Sequence, residues 1–190
     1  FDDLDGDGSP DLVTTTVDPR AEPHLFSNKG DGTFEDRTEG SGLEGLFGGL
    51  KVVHADYDND GDLDLYILRG AWMSKDGRHP NSLLRNESSQ SAGPRFVDVT
   101  FEAGLGEIHY PTQTAAWADY DNDGDVDLFV GNEFDPTINA PCQLFRNNGD
   151  GTFTDVARQA GVATSAYVKA VVWGDVDEDR FPDLFVSLLG

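Results

Sequence analysis

Length, composition and charge already exclude several classes of protein. The chain has 190 residues, of which 37% are hydrophobic and 11% aromatic, enough for one domain with a packed core. Its 36 Asp and Glu against 13 Lys and Arg give a formal net charge of −23, which disfavours nucleic acid as a partner, because phosphate binding draws on clustered Lys and Arg. The acidic residues are interleaved with Phe, Leu, Val and Trp, so a disordered acidic tail is disfavoured as well.

Cysteine content and hydropathy exclude two further classes of protein, those held together by disulfides and those inserted in a membrane. Cys142 is the single cysteine, which excludes an internal disulfide framework. No stretch approaches 18 apolar residues, so we predict no membrane insertion, and the first residues show no signal-peptide pattern. The chain begins at Phe1 in the middle of a unit that is complete further along, so we expect an excerpt of a longer parent.

The dominant pattern is a nine-residue acidic loop that recurs four times without gaps. The copies span residues 3–11, 56–64, 119–127 and 175–183. Each has Asp at loop positions 1, 3, 5 and 9, and the copies follow one another at about 50 to 60 residues. Internal repetition at that period indicates one structural unit per repeat.

Apolar runs on both sides of the loops predict strands. The runs after the loops are residues 12–13, 65–68, 128–130 and 184–186. Those before the three later loops are residues 50–55, 114–118 and 168–174. Asn-Gly and Asp-Gly pairs between further apolar runs predict hairpins at 24–34 and 143–153, with a middle copy at 82–99.

One repeat thus contains about four strands, which suits a propeller blade. We predict an all-β fold, a partial β-propeller of acidic repeats spanning residues 1–190, with four-stranded blades of which about three and a half are present. A calcium-binding β-solenoid would repeat every nine residues, and a sandwich does not repeat its sequence, so both are disfavoured. Propellers usually close with four to eight blades, so the remaining blades of the parent chain are expected partners.

The spacing of the aspartates predicts calcium binding. Calcium takes six to eight oxygen ligands, and an EF-hand loop supplies them from positions 1, 3, 5, 9 and the carbonyl of position 7, with Gly at position 6. The repeated loops share that layout, although strands flank them where an EF-hand has helices. A single Asp-Asn-Asp-Gly run could be an ordinary polar turn, but turn chemistry does not require an acid at position 9 in four copies.

We therefore predict up to four Ca²⁺ sites. The side chains of Asp62 and Asp125, at position 7, are expected to face solvent while their carbonyls bind. The predicted metal ligands, by side chain or by position-7 carbonyl, are Asp3, Asp5, Asp7, Ser9, Asp11, Asp56, Asp58, Asp60, Asp62, Asp64, Asp119, Asp121, Asp123, Asp125, Asp127, Asp175, Asp177, Asp179, Phe181 and Asp183.

The fourth loop departs from the pattern. Arg180 stands at position 6, where the other loops carry Gly8, Gly61 and Gly124. That position favours a left-handed backbone, which costs a residue other than glycine about 1 kcal/mol or more. We predict that the fourth site is the weakest.

The loops and the phrases between them resemble a known family. An acidic loop followed by Asp-Leu-Phe-Val, as at 127–130, is similar to the FG-GAP and VCBS repeats of integrin α-subunit propellers and many secreted bacterial proteins. The phrase at 144–156, continued by Ala-Gly-Val at 160–162, resembles more narrowly the cartilage-acidic-protein, or ASPIC/UnbV-containing, group. The resemblance implies a usually seven-bladed propeller with calcium loops on one face, acting in adhesion or extracellular interaction.

The functional prediction is a non-catalytic, calcium-binding module for extracellular protein or glycan, located outside the cell, at its surface or in the periplasm. One alternative is part of a propeller enzyme acting on polysaccharide, although no Gly-x-Ser-x-Gly, His-Glu-x-x-His or P-loop pattern is present. Another is an intracellular acidic protein with empty loops, which the repulsion between the carboxylates disfavours.

Two segments interrupt the repeat in corresponding places. Residues 69–80 carry Arg69, Trp72, Met73 and His79, and a second insertion covers residues 133–142. Each is either a variable surface loop or a binding surface, and we expect both to lie on one face. By contrast, Trp117 and Trp173 lie on strands that enter acidic loops and are predicted to pack between blades.

Overall fold

The computed structural model describes residues 2–89, 93–134 and 136–189, so Phe1 and Gly190, the ends of the predicted domain, lie outside the described residues. Over these described ranges the fold is all-β, as predicted, with thirteen strands in four antiparallel sheets and a short 3₁₀ helix, Ala71–Gly77. None of these sheets, within the described ranges, closes on itself. Each sheet corresponds to one repeat, and we number them blades 1 to 4.

The strand bounds follow the repeats. Blade 1 has the order β1-β2-β3, with β1 Leu12–Thr14, β2 His24–Asn28 and β3 Phe34–Asp36. Blade 2 contains β4 Lys51–Ala55, β5 Asp64–Leu68, β6 Ser82–Asn86 and β7 Phe96–Asp98. Blade 3 contains β8 Thr112–Ala118, β9 Asp127–Asn132, β10 Gln143–Asn147 and β11 Phe153–Asp155. Blade 4 pairs β12 Tyr167–Gly174 with β13 Asp183–Leu189.

Every sheet is a meander, in which consecutive strands pair with each other. In blade 2 the register runs through Val53 opposite Tyr66, Leu65 opposite Leu84, and Arg85 opposite Val97. Blades 2 and 3 therefore confirm the prediction of four strands per repeat. In blades 2, 3 and 4 the acidic loop connects the first strand to the second, and in blade 1 it directly precedes β1.

The second strand of each complete blade is its most buried part. All residues of β5 and of β9 are buried, which explains why both read as continuous apolar runs and not as an alternating pattern. Their side chains meet neighbouring blades on both faces. One apolar cluster lies between blades 1 and 2, a second between blades 2 and 3, and a third between blades 3 and 4.

Two tryptophans fill the space between blades, as predicted. The ring of Trp117 lies 6.2 Å from that of Tyr66 in blade 2. The ring of Trp173 lies 6.4 Å from that of Phe129 in blade 3, edge to face. Such edge-to-face aromatic pairs add to the stability that burial provides.

The strand directions separate two edges of the molecule. The acidic loops and the hairpin turns between third and fourth strands lie on one edge, which we call the loop edge. The connections between second and third strands, including residues 69–81, 133–134 and 136–142, lie on the other edge, which we call the opposite edge. The described parts of both insertions therefore share one face, as expected. Across the described residues, no helix is both long and apolar enough to cross a membrane.

Candidate metal centres

In every acidic loop three aspartates converge. The carboxylates at positions 1, 3 and 9 each offer an oxygen atom, and these atoms lie within 4.8 Å of one another. The four groups are Asp3, Asp5 and Asp11; Asp56, Asp58 and Asp64; Asp119, Asp121 and Asp127; and Asp175, Asp177 and Asp183. Of the four aspartates that the sequence pattern predicted in each loop, the fold therefore brings three together, those at positions 1, 3 and 9.

The aspartate at position 1 organises the backbone of its loop. In loop 2, Asp56 Oδ1 accepts a hydrogen bond from the N–H of Asp60 at 3.1 Å, and Oδ2 accepts one from the N–H of Gly61 at 3.0 Å. The same two bonds recur in the other three loops, each within 0.1 Å. The four loops therefore share one backbone conformation.

The position-5 carboxylates, which belong to Asp7, Asp60, Asp123 and Asp179, bind within their own loops. Each accepts a hydrogen bond from the N–H of position 7, at 2.7 to 3.0 Å. Their predicted role as ligands stays a prediction, as does that of the position-7 carbonyls.

The aspartate at position 9 anchors the loop to the sheet. Asp64 is fully buried, and its carboxylate accepts the N–H of Tyr57 at 3.1 Å and of Asn86 at 2.7 Å. Asp11 and Asp127 are equally buried and accept the corresponding pairs of N–H groups. In blades 2 and 3 these carboxylates hold the second loop residue and the third strand in register.

Burial makes the ionised form of these anchors costly. Loss of hydration raises the pKa of Asp64 to about 7 and that of Asp127 to about 6, against the lowering effect of their backbone hydrogen bonds. Burial is also the main cause that raises the pKa of Asp58, and the neighbouring charges of Asp60 and Asp56 raise it further. A bound cation reverses the sign of each of these interactions.

The donor set suits a hard divalent cation. All the converging atoms are carboxylate oxygens, the ligand type that calcium and magnesium prefer over softer metals. In loop 2, Asp58 Oδ1 is buried and has no hydrogen-bond partner among the described residues. A buried carboxylate oxygen without a donor is costly unless it coordinates an ion.

A family model with the description FG-GAP-like repeat matches residues 3–67 and 119–186. The chain belongs to the FG-GAP-like repeat family. The two matched segments contain all four acidic loops, so the family assignment and the carboxylate geometry concern the same residues.

Two relatives extend this similarity. Cartilage acidic protein 1 of Xenopus tropicalis is 34% identical over 177 residues, which cover 86% of this chain and 24% of the relative. Cartilage acidic protein 1 of Homo sapiens is 33% identical over 168 residues, with the same coverage. The chain therefore spans about a quarter of the length of the relatives that it matches.

A solved structure supports the fold. A lectin of Agrocybe aegerita, whose structure concerns recognition of non-reducing terminal N-acetylglucosamine, aligns with 97% of this chain and 45% of its own length. The TM-score is 0.54 at 19% sequence identity, so this likeness concerns the propeller-like fold alone.

One asparagine in each of blades 1 to 3 ties the acidic loop to the second strand that follows it: Asn28, Asn86 and Asn147. The sequence pattern had assigned these residues only to hairpin turns. Besides donating its N–H to Asp64, Asn86 donates its side-chain amide to Leu63 O at 3.0 Å and to Leu4 O of the preceding loop at 2.9 Å. Asn147 binds Val126 O and Tyr57 O in the same way. The sequence signal that could have identified these asparagines is their recurrence at the last residue of the second strand after each of the first three loops.

Neighbouring loops also contact each other directly. The side chain of Asn59 donates to Asp125 Oδ1 at 2.7 Å, and that of Asn122 donates to the carbonyl of Arg180 at 3.0 Å. Asp62 is exposed as expected, whereas Asp125 is half-buried and occupied by this bond. The second, third and fourth loops thus form a continuous row along the loop edge.

Two positions of each loop have a left-handed backbone. Position 6 was predicted to do so, and Gly124 and Arg180 have φ of 98° and 78°. Position 4 was missed: Asn59 and Asn122 have φ near 60°, and Glu178 has 63°. Asn tolerates this conformation better than most residues, so its presence there was the unused signal.

The fourth loop therefore carries two residues in a strained conformation, and Arg180→Gly is expected to stabilise it. We expect a gain of about 0.5–1 kcal/mol in the free energy of unfolding, since relief of left-handed strain outweighs the added freedom of the unfolded chain. Chemical denaturation in excess calcium measures it. Gly124→Ala is the matched reverse change. Open space surrounds that position, so the substitution affects only the backbone, and it should lower the free energy of unfolding. Equal stability of all three proteins would contradict the strain argument.

Proposed function

We propose that this chain is a calcium-stabilised, non-catalytic interaction module that binds extracellular protein or glycan. The observation that carries the proposal is the convergence of three carboxylates in each of four loops, where burial and mutual repulsion disfavour the ionised form in at least three. Calcium in each loop removes that repulsion and joins the first two strands of a blade. Up to four ions bind, the fourth most weakly.

Several findings support an interaction role. FG-GAP-like repeats form a repeat-module family, and the solved lectin with a similar fold recognises a sugar. Propellers present loops of all blades on two flat edges, which suits binding of large partners. The module acts outside the cell, at its surface or in the periplasm, where calcium is abundant enough to fill sites of modest affinity.

A direct binding measurement tests the calcium proposal. Isothermal titration of the metal-free chain with calcium is expected to show saturable binding of up to four ions, and titration with magnesium to show much weaker binding, because magnesium demands a smaller and more regular ligand shell. Stoichiometry should fall by one in Asp121→Ala and stay unchanged in Asp62→Ala, which alters an exposed side chain at position 7. Absence of calcium binding, or release of sugar products from polysaccharides by the chain, would contradict the proposal.

A further inference from the structure

A groove with an aromatic rim lies on the opposite edge, between the connections of blades 1 and 2. Its volume is about 250 Å³, and a cavity of about 60 Å³ adjoins it. Together they approach the lower end of the usual size of small-ligand sites. We call this feature the aromatic groove and use six of its lining residues: Phe47, Arg69, Trp72, Ser82, Asp98 and Phe101.

Three exposed aromatic side chains form the rim. Phe47 is 48% exposed, Trp72 42% and Phe101 69%. They come from three separate connections, at residues 37–50, 69–81 and 99–111, so the fold alone brings them to one place. Clustered exposed aromatic rings on an otherwise highly charged protein mark a binding site more often than a structural need.

The rim does not follow from the repeat. Phe101 stands three residues after the last strand of blade 2, and the equivalent residues of blades 1 and 3 are Glu39 and Arg158, both exposed. An exposed Phe in place of a polar residue brings little stability to the blade. Its ring lies against the backbone of Gly106, where an added Cβ atom would be 2.7 Å from two of its carbon atoms.

The floor of the groove contains a positively charged donor, Arg69, and a negatively charged acceptor, Asp98, with Ser82 between them. Ser82 Oγ accepts a hydrogen bond from Arg69 Nη1 at 2.9 Å and donates to Asp98 Oδ2 at a long 3.4 Å. Asp98 Oδ1 is used by the N–H and hydroxyl of Thr100. A carboxylate has about four acceptor positions, so Asp98 Oδ2 has capacity for a ligand hydroxyl.

Blade 3 shows that the charged floor is not needed for folding. There Asn132 takes the place of Arg69 and ties the strand to Pro141 O at 2.8 Å, as Arg69 ties its strand to Pro80 O at 3.1 Å. The shorter, neutral side chain performs the same structural task. The guanidinium group beside Asp98 is therefore a feature that the architecture does not require.

We propose that the aromatic groove binds a neutral saccharide. A ligand with net charge would face one floor group of its own sign. A sugar hydroxyl, by contrast, can donate to Asp98 Oδ2, and a neighbouring hydroxyl can accept the O–H of Ser82, which then leaves its long bond to Asp98. The C–H face of a sugar ring packs against the rings of Phe47 and Phe101, which both line the larger cavity, as other apolar surfaces do. This inference rests on the proposed function as an interaction module and names its ligand class and its site.

The test is a binding measurement with a defined panel in excess calcium. The panel contains neutral hexose and N-acetylhexosamine disaccharides, their sulfated and sialylated counterparts, and an aromatic-rich peptide. Saturation-transfer NMR detects binding, and calorimetry measures affinity. At least one neutral disaccharide is expected to bind, with affinity about tenfold weaker in Phe101→Arg, which installs the residue of blade 3.

Two further variants separate the groove from general effects. Gly106→Ala is expected to weaken binding as well, since its methyl group displaces the ring of Phe101 while the position has an ordinary backbone conformation. Arg158→Ala, at the equivalent position of blade 3, is expected to bind like the parent chain. The proposal is overturned if no neutral saccharide binds, if the acidic sugars or the peptide bind instead, or if affinity is the same in Phe101→Arg. Calcium binding measured in the same samples is independent of this result, so loss of saccharide binding alone leaves the proposed function standing.

Discussion

Removal of calcium at about pH 8 is expected to lower the melting temperature of this chain by about 10 °C or more. One site held at 100 times its dissociation constant contributes about 2.7 kcal/mol, and each kcal/mol shifts the melting temperature of a domain of this size by about 2–4 °C, so two filled sites are sufficient. Differential scanning calorimetry with excess calcium and with a chelator measures the difference.

The chelated protein should recover stability as the pH falls. In the folded chain without an ion, burial raises the pKa of Asp64 to about 7 and that of Asp127 to about 6, above the ordinary 3.8. The folded state then binds protons that the unfolded chain does not, so their stabilisation is complete below about pH 4 and is lost as the pH rises through 6 to 7. The calcium-loaded protein should show the opposite trend over this range, because protons compete with the ion. Parallel pH profiles with and without calcium would contradict the assignment of these carboxylates to the metal sites.

The sequence predicted the repeat architecture because the acidic period and the apolar runs are local signals. Asp56 and Asp64 are the first and the last residue of a nine-residue loop, so spacing alone placed them together. The left-handed conformation of Arg180 also followed from local comparison with the glycines of the other loops. The ligand roles of all the loop residues remain predictions; at position 5 the carboxylates accept hydrogen bonds within their own loops, and at position 7 Asp62 is exposed while Asp125 accepts a bond from Asn59 of the neighbouring loop.

What the sequence did not predict depends on contacts between blades. Asn86 reaches Leu4, 82 positions earlier, and no local pattern distinguishes that bond from ordinary turn chemistry. The aromatic groove is similar: Trp72 was noted as a candidate surface residue, but it shares one cavity with Phe47, and Phe47 shares the adjoining one with Phe101, only because three connections of two blades meet. Contacts between segments far apart in the chain were therefore missed, and so was one local feature, the left-handed backbone at position 4 of the loops.

Asp64→Ala is expected to cost about 2–5 kcal/mol of unfolding free energy in excess calcium, a large part of the stability of a typical domain. The substitution removes one predicted ligand and leaves two buried N–H groups, those of Tyr57 and Asn86, without their acceptor. Each such orphaned group costs about 1–3 kcal/mol. Urea denaturation of the calcium-loaded variant measures the loss.

The matched control is Asp62→Ala, which removes an exposed carboxylate from the same loop and should change stability by less than about 0.5 kcal/mol. In chelator at about pH 8 the cost of Asp64→Ala should shrink, because the buried charge of Asp64 is then itself unfavourable and its removal offsets part of the lost hydrogen bonding. A calcium-dependent cost at position 64 with none at position 62 distinguishes an ion-linked anchor from a buried polar residue that acts alone. If Asp64→Ala cost the same with and without calcium, the anchor would be structural only, and the ion would have to be held by the remaining oxygens of the loop.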